Sequence, residues 1–285
     1  MIQLLAQPVT ERLHTQIRER VKLFEQTHRR APKLSVILVG EDPASVIYVR
    51  KKSETALSLG IQHETFTFSP NASPLEVQTL VHQLNLNPKV DGILIQRPLP
   101  QLFDEREVLF WIAPQKDVDS FHPENAGKLF LGIPSLPPCT PAGIMELLHH
   151  YQISVAGKTA CVIGRSTIVG RPIAALLLQA HATVFSCHSQ TKNLKLVSQQ
   201  AEILIVAAGK RGLIDSSYVR PGAVVIDVGV HRNDQGKLAG DVVFEDVSRV
   251  ASAITPVPGG VGPMTLAILM RNTVTAAEQN QMGKK

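Results

Sequence analysis

Short apolar runs alternate with helix-forming segments along almost the whole chain, and this alternation limits the fold more than any other feature. The runs are nearly continuous, as in strands that are buried on both faces of a parallel sheet. Between them, apolar residues recur at helical spacing, for example at Leu13, Ile17, Val21 and Phe24. Strand-like runs lie at residues 34–39, 90–95, 159–163, 183–186, 203–207 and 224–228. The pattern predicts an α/β fold with mostly parallel sheets and crossover helices.

A glycine loop follows the strand predicted at residues 159–163. The loop reads Gly164-Arg-Ser-Thr-Ile-Val-Gly170 and leads into an apolar helical segment at Pro172. A loop of this kind between a strand and a helix places a pyrophosphate on the backbone N–H groups of the helix start. Ser166 stands where a second glycine is expected, so a plain strand-to-helix turn is the alternative. The context favours a dinucleotide site in a Rossmann-like domain.

The end of the next strand distinguishes between the two nicotinamide cofactors. An NAD site usually has a carboxylate there, which accepts from a ribose hydroxyl. Here the chain reads Ser186-Cys-His-Ser-Gln-Thr-Lys192, with no carboxylate. Arg165 lies in the glycine loop, and its planar guanidinium suits a phosphate. The sequence therefore favours NADP over NAD.

Tyr48 and Lys52 are four residues apart on a helix predicted from about Pro43 to Leu59, so they share one face. Without context, the simpler interpretation is a solvated lysine beside a half-buried tyrosine. Gln96 directly follows the strand at residues 90–95, at the end where open α/β sheets place ligands. This position favours a functional interpretation of the pair.

Asp117 and Asp119 flank Val118 in the loop region that follows. Taken alone, they are best explained as loop or cap carboxylates. A carboxylate at this place can instead accept two hydrogen bonds from an amino-pyrimidine edge. A Tyr-x-x-x-Lys pair also occurs in short-chain dehydrogenases, but there it comes well after the nucleotide loop. Here the pair precedes the loop, which argues against that family.

The chain has 285 residues, which fits two domains of ordinary size better than one. The stretch around residues 114–141 is rich in Pro, Gly, Asp and Asn and lacks a clear period, so it is predicted to be loop. A helix over about residues 264–278 is expected to pack back on the first domain. The predicted boundaries are an α/β domain at residues 1–118, a connecting and site-forming loop at 119–140, and a Rossmann-like domain at 141–263.

Composition narrows the compartment and the partners. No run of about 18 apolar residues occurs, so we expect no membrane span, and the chain start lacks the features of a secretory signal. Cys139, Cys161 and Cys187 show no metal-ligand spacing, so we expect no metal and reduced thiols in the cytoplasm. The net charge of +5 can attract anionic ligands. The basic residues of the chain are dispersed and lack interleaved aromatic residues, so no nucleic-acid partner is expected.

Several motifs in one order give the chain a close resemblance to the bifunctional methylenetetrahydrofolate dehydrogenase/methenyltetrahydrofolate cyclohydrolase family. The resemblance runs from about Pro8 to Ala277. The motifs are Ala44-Ser-Val-Ile-Tyr-Val-Arg-Lys-Lys52, Asp91-Gly-Ile-Leu-Ile-Gln-Arg-Pro-Leu-Pro100, Lys116-Asp-Val-Asp119, Pro138-Cys-Thr-Pro141, the glycine loop, Cys187-His-Ser189 and Pro256-Val-Pro-Gly-Gly-Val-Gly-Pro-Met-Thr265. Each motif is weak alone, and together they are specific.

The resemblance implies a cleft between a folate-binding N-terminal domain and an NADP-binding C-terminal domain, usually in a homodimer. It implies oxidation of 5,10-methylenetetrahydrofolate with NADP, then hydrolysis of the methenyl product to 10-formyltetrahydrofolate. By position, it implies catalytic roles for Lys52, Tyr48 and Gln96. It implies substrate contacts by Tyr48, Gln96, Pro98, Asp119, Gly259 and Pro263. It implies cofactor contacts by Gly164, Arg165, Ser166, Ile168, Gly170, His188, Ser189, Gly260, Val261 and Thr265.

The hydrolysis step needs proton transfer, so the lysine must be partly neutral near neutral pH. Burial or neighbouring positive charge lowers a lysine pKa, and Arg50, Lys51 and Arg97 are candidate neighbours. Two alternatives are a dehydrogenase that has lost hydrolysis and a non-enzymatic NADP-binding module. Retention of Lys52 and its partners argues against the first, and the intact first-domain motifs argue against the second.

Four residues depart from the family pattern. They are Arg97 for an apolar residue, Ser120 for glycine, Arg211 for proline and His231 for asparagine. Arg97 and Ser120 adjoin the implied folate site, so they bear on substrate affinity and on the balance between the two activities.

Overall fold

The computed structural model describes residues 1–232 and 235–282, and it confirms an α/β fold with parallel sheets. The α-helices are α1 (Gln7–His28), α2 (Pro43–Ser58), α3 (Pro74–Leu86), α4 (Glu105–Val108), α5 (Pro123–Leu131), α6 (Cys139–His150), α7 (Gly170–Gln179), α8 (Leu194–Ser198), α9 (Phe244–Val247) and α10 (Val261–Met282). The strands are β1 (Ile2–Gln3), β2 (Lys33–Val39), β3 (Gln62–Phe68), β4 (Gly92–Ile95), β5 (Thr159–Ile163), β6 (Thr183–Cys187), β7 (Ile203–Val206), β8 (Val224–Asp227), β9 (His231–Arg232), β10 (Leu238–Ala239) and β11 (Ala253–Ile254). Among the described helices, none has the length and apolar character needed to cross a bilayer.

The chain divides into two compact units. The six-stranded unit comprises Met1–Glu11 and Thr140–Thr265, and the three-stranded unit comprises Arg12–Cys139 and the residues from Leu266 onward. Each unit has its own sheet and its own buried apolar cluster.

The six-stranded unit is built on a sheet with the order β1-β11-β8-β7-β5-β6, in which neighbouring strands pair in parallel. From β5 the chain moves to β6 on one side and then to β7 on the other. The strand order therefore reverses between β5 and β7, and open α/β sheets bind ligands beyond the carboxyl ends of the strands at such a point. Cys161 and Cys187 are buried as free thiols in the apolar cluster of this sheet.

The three-stranded unit has the order β3-β2-β4, again with parallel pairs. Its strand order reverses between β2 and β4, so the start of α2 and the residues after β4 meet at one edge. One face of the sheet packs against α3 through Ile37 and Ile95 with Val77 and Val81. The other face carries Gln96 and receives α2.

The N terminus departs from the predicted domain boundary. Residues 1–11 belong to the six-stranded unit, because β1 pairs with β11 and Leu4 N–H donates to the Ile254 carbonyl at 2.8 Å. A two-residue strand has no period to read, so the sequence placed this segment with the first domain. Residues from Leu266 onward cluster with the three-stranded unit.

The stretch predicted as loop at residues 114–141 contains the helix α5. The His122 Nδ1 accepts from Glu124 N–H at 3.0 Å, Pro123 fills the first position and Gly132 ends the helix in the left-handed conformation. The sequence carried these signals, but a nine-residue helix shows only two turns of periodicity. Residues 119–139 belong to the three-stranded unit, in which they form one side of the site described below.

Strand β3 was not predicted. It is the edge strand next to β2, and its residues alternate between half-buried and exposed with several polar side chains. Helix α3 starts after Ser73, whose side chain makes no hydrogen bond to the first turn. The last helix is longer than predicted at both ends, and α10 runs from Val261 to Met282.

Candidate active site

Helix α2 places Tyr48 and Lys52 on one side of the three-stranded unit. Asp42 caps the helix, since its carboxylate accepts from Ser45 N–H at 2.8 Å and Pro43 occupies the first turn. The ammonium of Lys52 lies 4.7 Å from the centroid of the Tyr48 ring. The four-residue spacing therefore brings the two side chains together, as expected.

Lys52 reaches the residue that follows β4. Its Nζ donates to Gln96 Oε1 at 2.8 Å, and Gln96 Nε2 donates to the Arg97 carbonyl at 2.6 Å. Lys52 is 4% exposed and Gln96 is 8% exposed. The carboxamide is held at both ends, so the lysine nitrogen has a fixed position at the edge where β2 and β4 end.

Burial makes the Lys52 ammonium less stable than a solvated one. Desolvation lowers the pKa of Lys52, and the charges of Asp119 and Cys139 act in the opposite direction. The sequence hypothesis of positive neighbours is wrong, because Arg50 and Lys51 are exposed and Arg50 pairs with Glu54. The proposed lowering of the lysine pKa is present, and burial is its cause.

The phenol of Tyr48 is held in its neutral form. Burial raises the pKa of Tyr48, and the negative charge of Asp119 raises it further. A lysine with a lowered pKa therefore lies beside a phenol with a raised pKa, so one group releases its proton more readily and the other holds it.

The two loop aspartates have different environments. Asp117 is buried and accepts hydrogen bonds from Ser120 N–H, His122 N–H and the Asn125 amide. Burial raises the pKa of Asp117 to about 6, despite these hydrogen bonds. Asp117 thus organises the turn.

Asp119 is half-buried and lines a pocket with an apolar floor that includes Ile95 and Leu109. It is the carboxylate of the pair that is available to a ligand.

Cys139 and Asn272 belong to this site and had no predicted role. The Cys139 thiol is buried against Asp119, and burial followed by the Asp119 charge raises the pKa of the thiol. Asn272 on α10 donates to the carbonyls of Val118 and Pro137 at 2.8 and 2.7 Å. Through these two hydrogen bonds, Asn272 links the segment that leads into Asp119 to the segment at Pro137. No local sequence pattern indicates Asn272, which is 154 residues from Val118.

Two of the family departures have a structural explanation in this unit. Ser120 has φ of +62°, a conformation that favours glycine, and its hydroxyl donates to the Leu136 carbonyl at 2.6 Å. Arg97 pairs with Glu105 at 3.0 Å and lies 5.6 Å from the Phe121 ring centroid. Arg97 therefore covers the pocket of Asp119, while the predicted substrate residue Pro98 beside it is exposed.

The glycine loop of the six-stranded unit follows β5 and leads into α7. A Cβ at Gly164, which has φ of +129°, would overlap the Ala207 carbonyl, and one at Gly170 would overlap the Gly164 carbonyl. The two ends of the loop therefore pack closely against each other, and Gly164 packs closely against the backbone after β7. Only glycine fits at these two positions. This is the close packing of strand, turn and helix that a dinucleotide loop requires.

Ser166 has a defined role where a second glycine was expected. Its hydroxyl accepts from Val169 N–H at 3.1 Å and from Gly170 N–H at 3.2 Å, so it caps the start of α7. Arg165 beside it is exposed, and Ile168 is half-buried. Ser166 therefore provides an acceptor for two backbone N–H groups at the start of α7, and the exposed Arg165 guanidinium is accessible to an anion.

His188 and Ser189 follow β6, which neighbours β5. His188 N–H donates to Thr191 Oγ1 at 2.9 Å, and its Nδ1 accepts from Gln190 N–H at 3.2 Å. Ser189 is exposed. The turn after β6 is thus internally hydrogen-bonded. The exposed Ser189 lies in this turn, and β6 pairs with β5, the strand that precedes the glycine loop.

The remaining predicted residues lie in the segment that opens α10, in the six-stranded unit. Gly259 accepts from Ala6 N–H through its carbonyl at 2.8 Å, Gly260 and Val261 are buried, and Pro263 is exposed. The hydroxyls of Thr265 and Thr140 are 2.9 Å apart. Gly259 and Pro263, predicted as substrate contacts, are therefore in the unit of the glycine loop and not in that of Lys52.

Within residues 1–232 and 235–282, no group of three or more His, Cys, Asp or Glu side chains is arranged to hold a metal ion. The chemistry of both sites is that of amine, phenol, carboxamide, carboxylate and backbone groups.

Comparisons with known proteins assign both units. The family model described as tetrahydrofolate dehydrogenase/cyclohydrolase, catalytic domain, matches residues 4–119, and the model for its NAD(P)-binding domain matches residues 138–281. A relative from Ligilactobacillus salivarius described as bifunctional protein FolD is 54% identical over 276 residues, covering 97% of this chain and 96% of that protein.

Solved structures agree with these matches. The bifunctional enzyme FolD from Campylobacter jejuni has a TM-score of 0.95 and 44% identity, covering 98% of this chain and 99% of that one. The FolD of Trypanosoma brucei, solved with NADP cofactor and inhibitor, has a TM-score of 0.93 and 33% identity, covering 98% of both chains.

Proposed function

The chain belongs to the tetrahydrofolate dehydrogenase/cyclohydrolase family, and we propose that it oxidises 5,10-methylenetetrahydrofolate with NADP and then hydrolyses the product. The observation that carries this proposal is the buried Lys52 Nζ, hydrogen-bonded to Gln96 and placed beside the Tyr48 ring. The hydrolysis step needs such an amine, and a protein that only bound the cofactor would not.

Lys52 is the proton-transfer group of the hydrolysis step in this proposal. The lowered pKa gives the amine a neutral fraction that takes a proton from the attacking water. A new carbon–oxygen bond forms at the methenyl carbon, and one of its two bonds to nitrogen breaks. One water proton passes to the nitrogen that leaves, and the other is released to solvent as the formyl C=O forms, which balances the positive charge of the methenyl compound. The product is 10-formyltetrahydrofolate.

Gln96 and Tyr48 orient this amine. Gln96 Oε1 accepts from Lys52 Nζ and Gln96 Nε2 is anchored to the Arg97 carbonyl, so the amine cannot swing away. The raised pKa of Tyr48 keeps its phenol protonated, and it can therefore donate a hydrogen bond to substrate.

Asp119 is proposed to anchor the substrate. Its carboxylate lines a small pocket together with Ile95 and Leu109 and can accept two N–H bonds from the amino-pyrimidine edge of the pterin. Pro98 from this unit, and Gly259 and Pro263 from the other, are proposed as further substrate contacts by their position in the family motifs.

The glycine loop fits a dinucleotide, because the close packing at Gly164 and Gly170 leaves no room for a side chain at either position. When bound, NADP accepts a hydride from the folate methylene carbon. Ile168 and the backbone of the loop are proposed to contact the dinucleotide, with Arg165, Ser166, His188 and Ser189 around the ribose phosphate. Gly260, Val261 and Thr265 are proposed to lie along its nicotinamide end. Each of these side chains is in the six-stranded unit.

The proposal also includes the oligomeric state and the cellular location of the chain. We infer a homodimer, which the family resemblance implies and which the exposed Leu178 and Leu196 of α7 and α8 would suit. Sedimentation of the purified chain tests it.

We also infer a cytoplasmic location, because all three cysteines are unpaired thiols.

A spectrophotometric assay tests the proposed function. Methylenetetrahydrofolate is supplied with NADP, and NADPH and the methenyl compound are followed separately at their own wavelengths. We expect NADPH to form steadily while the methenyl compound stays low, because hydrolysis removes it. Accumulation of the methenyl compound in step with NADPH would identify a dehydrogenase without hydrolase activity. Absence of NADPH would contradict the proposal as a whole.

A further inference from the structure

A buried carboxylate fixes the loop that follows β7 in the six-stranded unit. Asp241 is fully buried, and its Oδ2 accepts from Ala208 N–H at 2.7 Å and from Gly209 N–H at 2.9 Å. Neither amide belongs to a strand, so the conformation of this loop depends on the position of one carboxylate oxygen.

The backbone of Asp241 is fixed by a second carboxylate. Asp227, at the end of β8, accepts from Asp241 N–H and from Val242 N–H, both at 3.0 Å. Asp227 N–H in turn donates to the Thr255 hydroxyl at 2.7 Å. The packing is so close that a Cβ at Gly240 would overlap the Asp227 carboxylate.

His231 binds the remaining oxygen of Asp241. The ring Nε2 lies 2.7 Å from Asp241 Oδ1, and it is the donor because a carboxylate oxygen accepts. The histidine side chain is 24% exposed and the Asp241 side chain is fully buried, so His231 covers the carboxylate on its solvent side. One His231 N–H group therefore sets how the Asp241 carboxylate is turned.

The loop held by Asp241 touches the glycine loop directly. Ala207 N–H donates to the Ile163 carbonyl at 2.8 Å, and the Ala207 carbonyl faces the Cα of Gly164 at the place where a Cβ would overlap it. Both loops lie where the strand order reverses between β5 and β7. A shift of residues 207–209 would therefore move one wall of the glycine loop.

We propose that His231 is a positioning residue for NADP binding, which acts through Asp241 on the loop at residues 207–209 and so on the glycine loop. The inference rests on the proposed function, since it takes NADP as the ligand of the glycine loop. His231 stands where the family pattern has asparagine, and both side chains offer an N–H donor. The proposal requires a side-chain N–H donor at position 231 and does not require an imidazole ring.

The test compares His231→Phe, which keeps a ring and loses the donor, with His231→Gln, whose Nε2 donates at a similar reach. His149→Phe is the matched control, because His149 is an exposed histidine on α6 in the same unit. Three quantities are measured on each ligand-free protein: the Kd for NADP by titration, amide hydrogen exchange in the peptide containing residues 208 and 209, and hydrolysis of the methenyl compound without NADP.

We expect His231→Phe to raise the Kd for NADP about tenfold, the effect of losing one hydrogen bond to a buried carboxylate. It should also speed amide exchange at residues 208 and 209 and leave hydrolysis unchanged. His231→Gln should stay within about twofold of the parent Kd, and His149→Phe should change none of the three quantities.

An unchanged Kd and unchanged exchange in His231→Phe would overturn the proposal. Equal losses of NADP binding and hydrolysis would overturn it too, since they would indicate a general structural role. If His231→Phe does not fold, His231→Ala decides by the same criteria, and failure of both to fold also overturns it. If the parent chain binds no NADP, the proposed function fails, and the exchange measurement alone still reports whether His231 holds the loop.

Discussion

Lys52 is buried in the three-stranded unit, where it contacts the Tyr48 ring and donates to Gln96. The spacing of Tyr48 and Lys52 predicted a shared helix face, and the 4.7 Å contact confirms it. The sequence left two causes open for a lowered lysine pKa, burial and positive neighbours, and burial is the one found, which depends on packing by segments far along the chain. Asn272 is the clearest example, since its contact with Val118 spans 154 residues and leaves no local pattern.

Replacing Lys52 by methionine should abolish hydrolysis and spare oxidation. Methionine fills similar space and removes the amine that takes the proton from water, so hydrolysis of the methenyl compound should fall by about a hundredfold or more. Lys51→Met is the matched control, because Lys51 is the exposed neighbour on the same helix. Near-normal hydrolysis by Lys52→Met, or an equal loss in Lys51→Met, would contradict the assigned role.

The pH dependence of hydrolysis should follow the neutral form of Lys52. Because burial lowers its pKa below the ordinary 10.5, the neutral amine appears at lower pH than in a solvated lysine. The enzymatic rate, corrected for spontaneous hydrolysis, should therefore rise with pH and reach a plateau below that value. Rates that fall with rising pH over this range would show that the protonated amine is the active form.

Arg165 should determine the preference for NADP. Its exposed guanidinium is proposed to bind the ribose phosphate, so Arg165→Ala should raise the KM for NADP about tenfold and leave that for NAD unchanged. Arg220→Ala is the control, since Arg220 is an exposed arginine of the same unit. Equal KM values for the two cofactors in the parent enzyme would refute the phosphate argument.

At the scale of elements, prediction succeeded where a segment is long or fully buried. The strands β2, β4, β5, β7 and β8 are nearly continuous apolar runs, and each was located from the sequence. The edge strand β3 was missed, because half its residues face solvent and its apolar residues are interrupted by polar ones. β1 and β11 have two residues each, and their pairing exists only because distant segments meet.

The loop between β5 and α7 should not tolerate a side chain at its first position. In Gly164→Ala the new Cβ would strike the Ala207 backbone, so the chain after β7 must move and NADP affinity should fall at least about tenfold. Hydrolysis of the methenyl compound without NADP should not change. Titration with NADP and the hydrolysis assay measure the two effects.

Gly157→Ala separates the backbone conformation from the clash. Gly157 also has positive φ, at +75°, but a Cβ there would have no atom within 4 Å. This variant should cost about 1 kcal/mol of stability and leave NADP affinity unchanged. A loss of affinity in Gly157→Ala equal to that in Gly164→Ala would show that the contact with Ala207 is not what matters.

At the scale of the whole molecule, the sequence predicted two α/β regions and the ordered motifs predicted the family. In the structure, residues 1–11 cluster with the six-stranded unit, because β1 pairs with β11. The predicted cleft between the two regions stays a prediction. What the structure adds is that Lys52 and Asp119 lie in the three-stranded unit and the glycine loop lies in the six-stranded unit.

This division can be tested by assaying both steps on the parent chain, Lys52→Met and Gly164→Ala side by side. We predict that Lys52→Met still oxidises methylenetetrahydrofolate with NADP and does not hydrolyse the methenyl compound. Gly164→Ala should still hydrolyse it and, at an NADP concentration near the parent Kd, should oxidise the methylene compound much more slowly than the parent. If either folded variant lost both activities together, or if Lys52→Met hydrolysed normally, the assignment of the two steps to these residues would be contradicted.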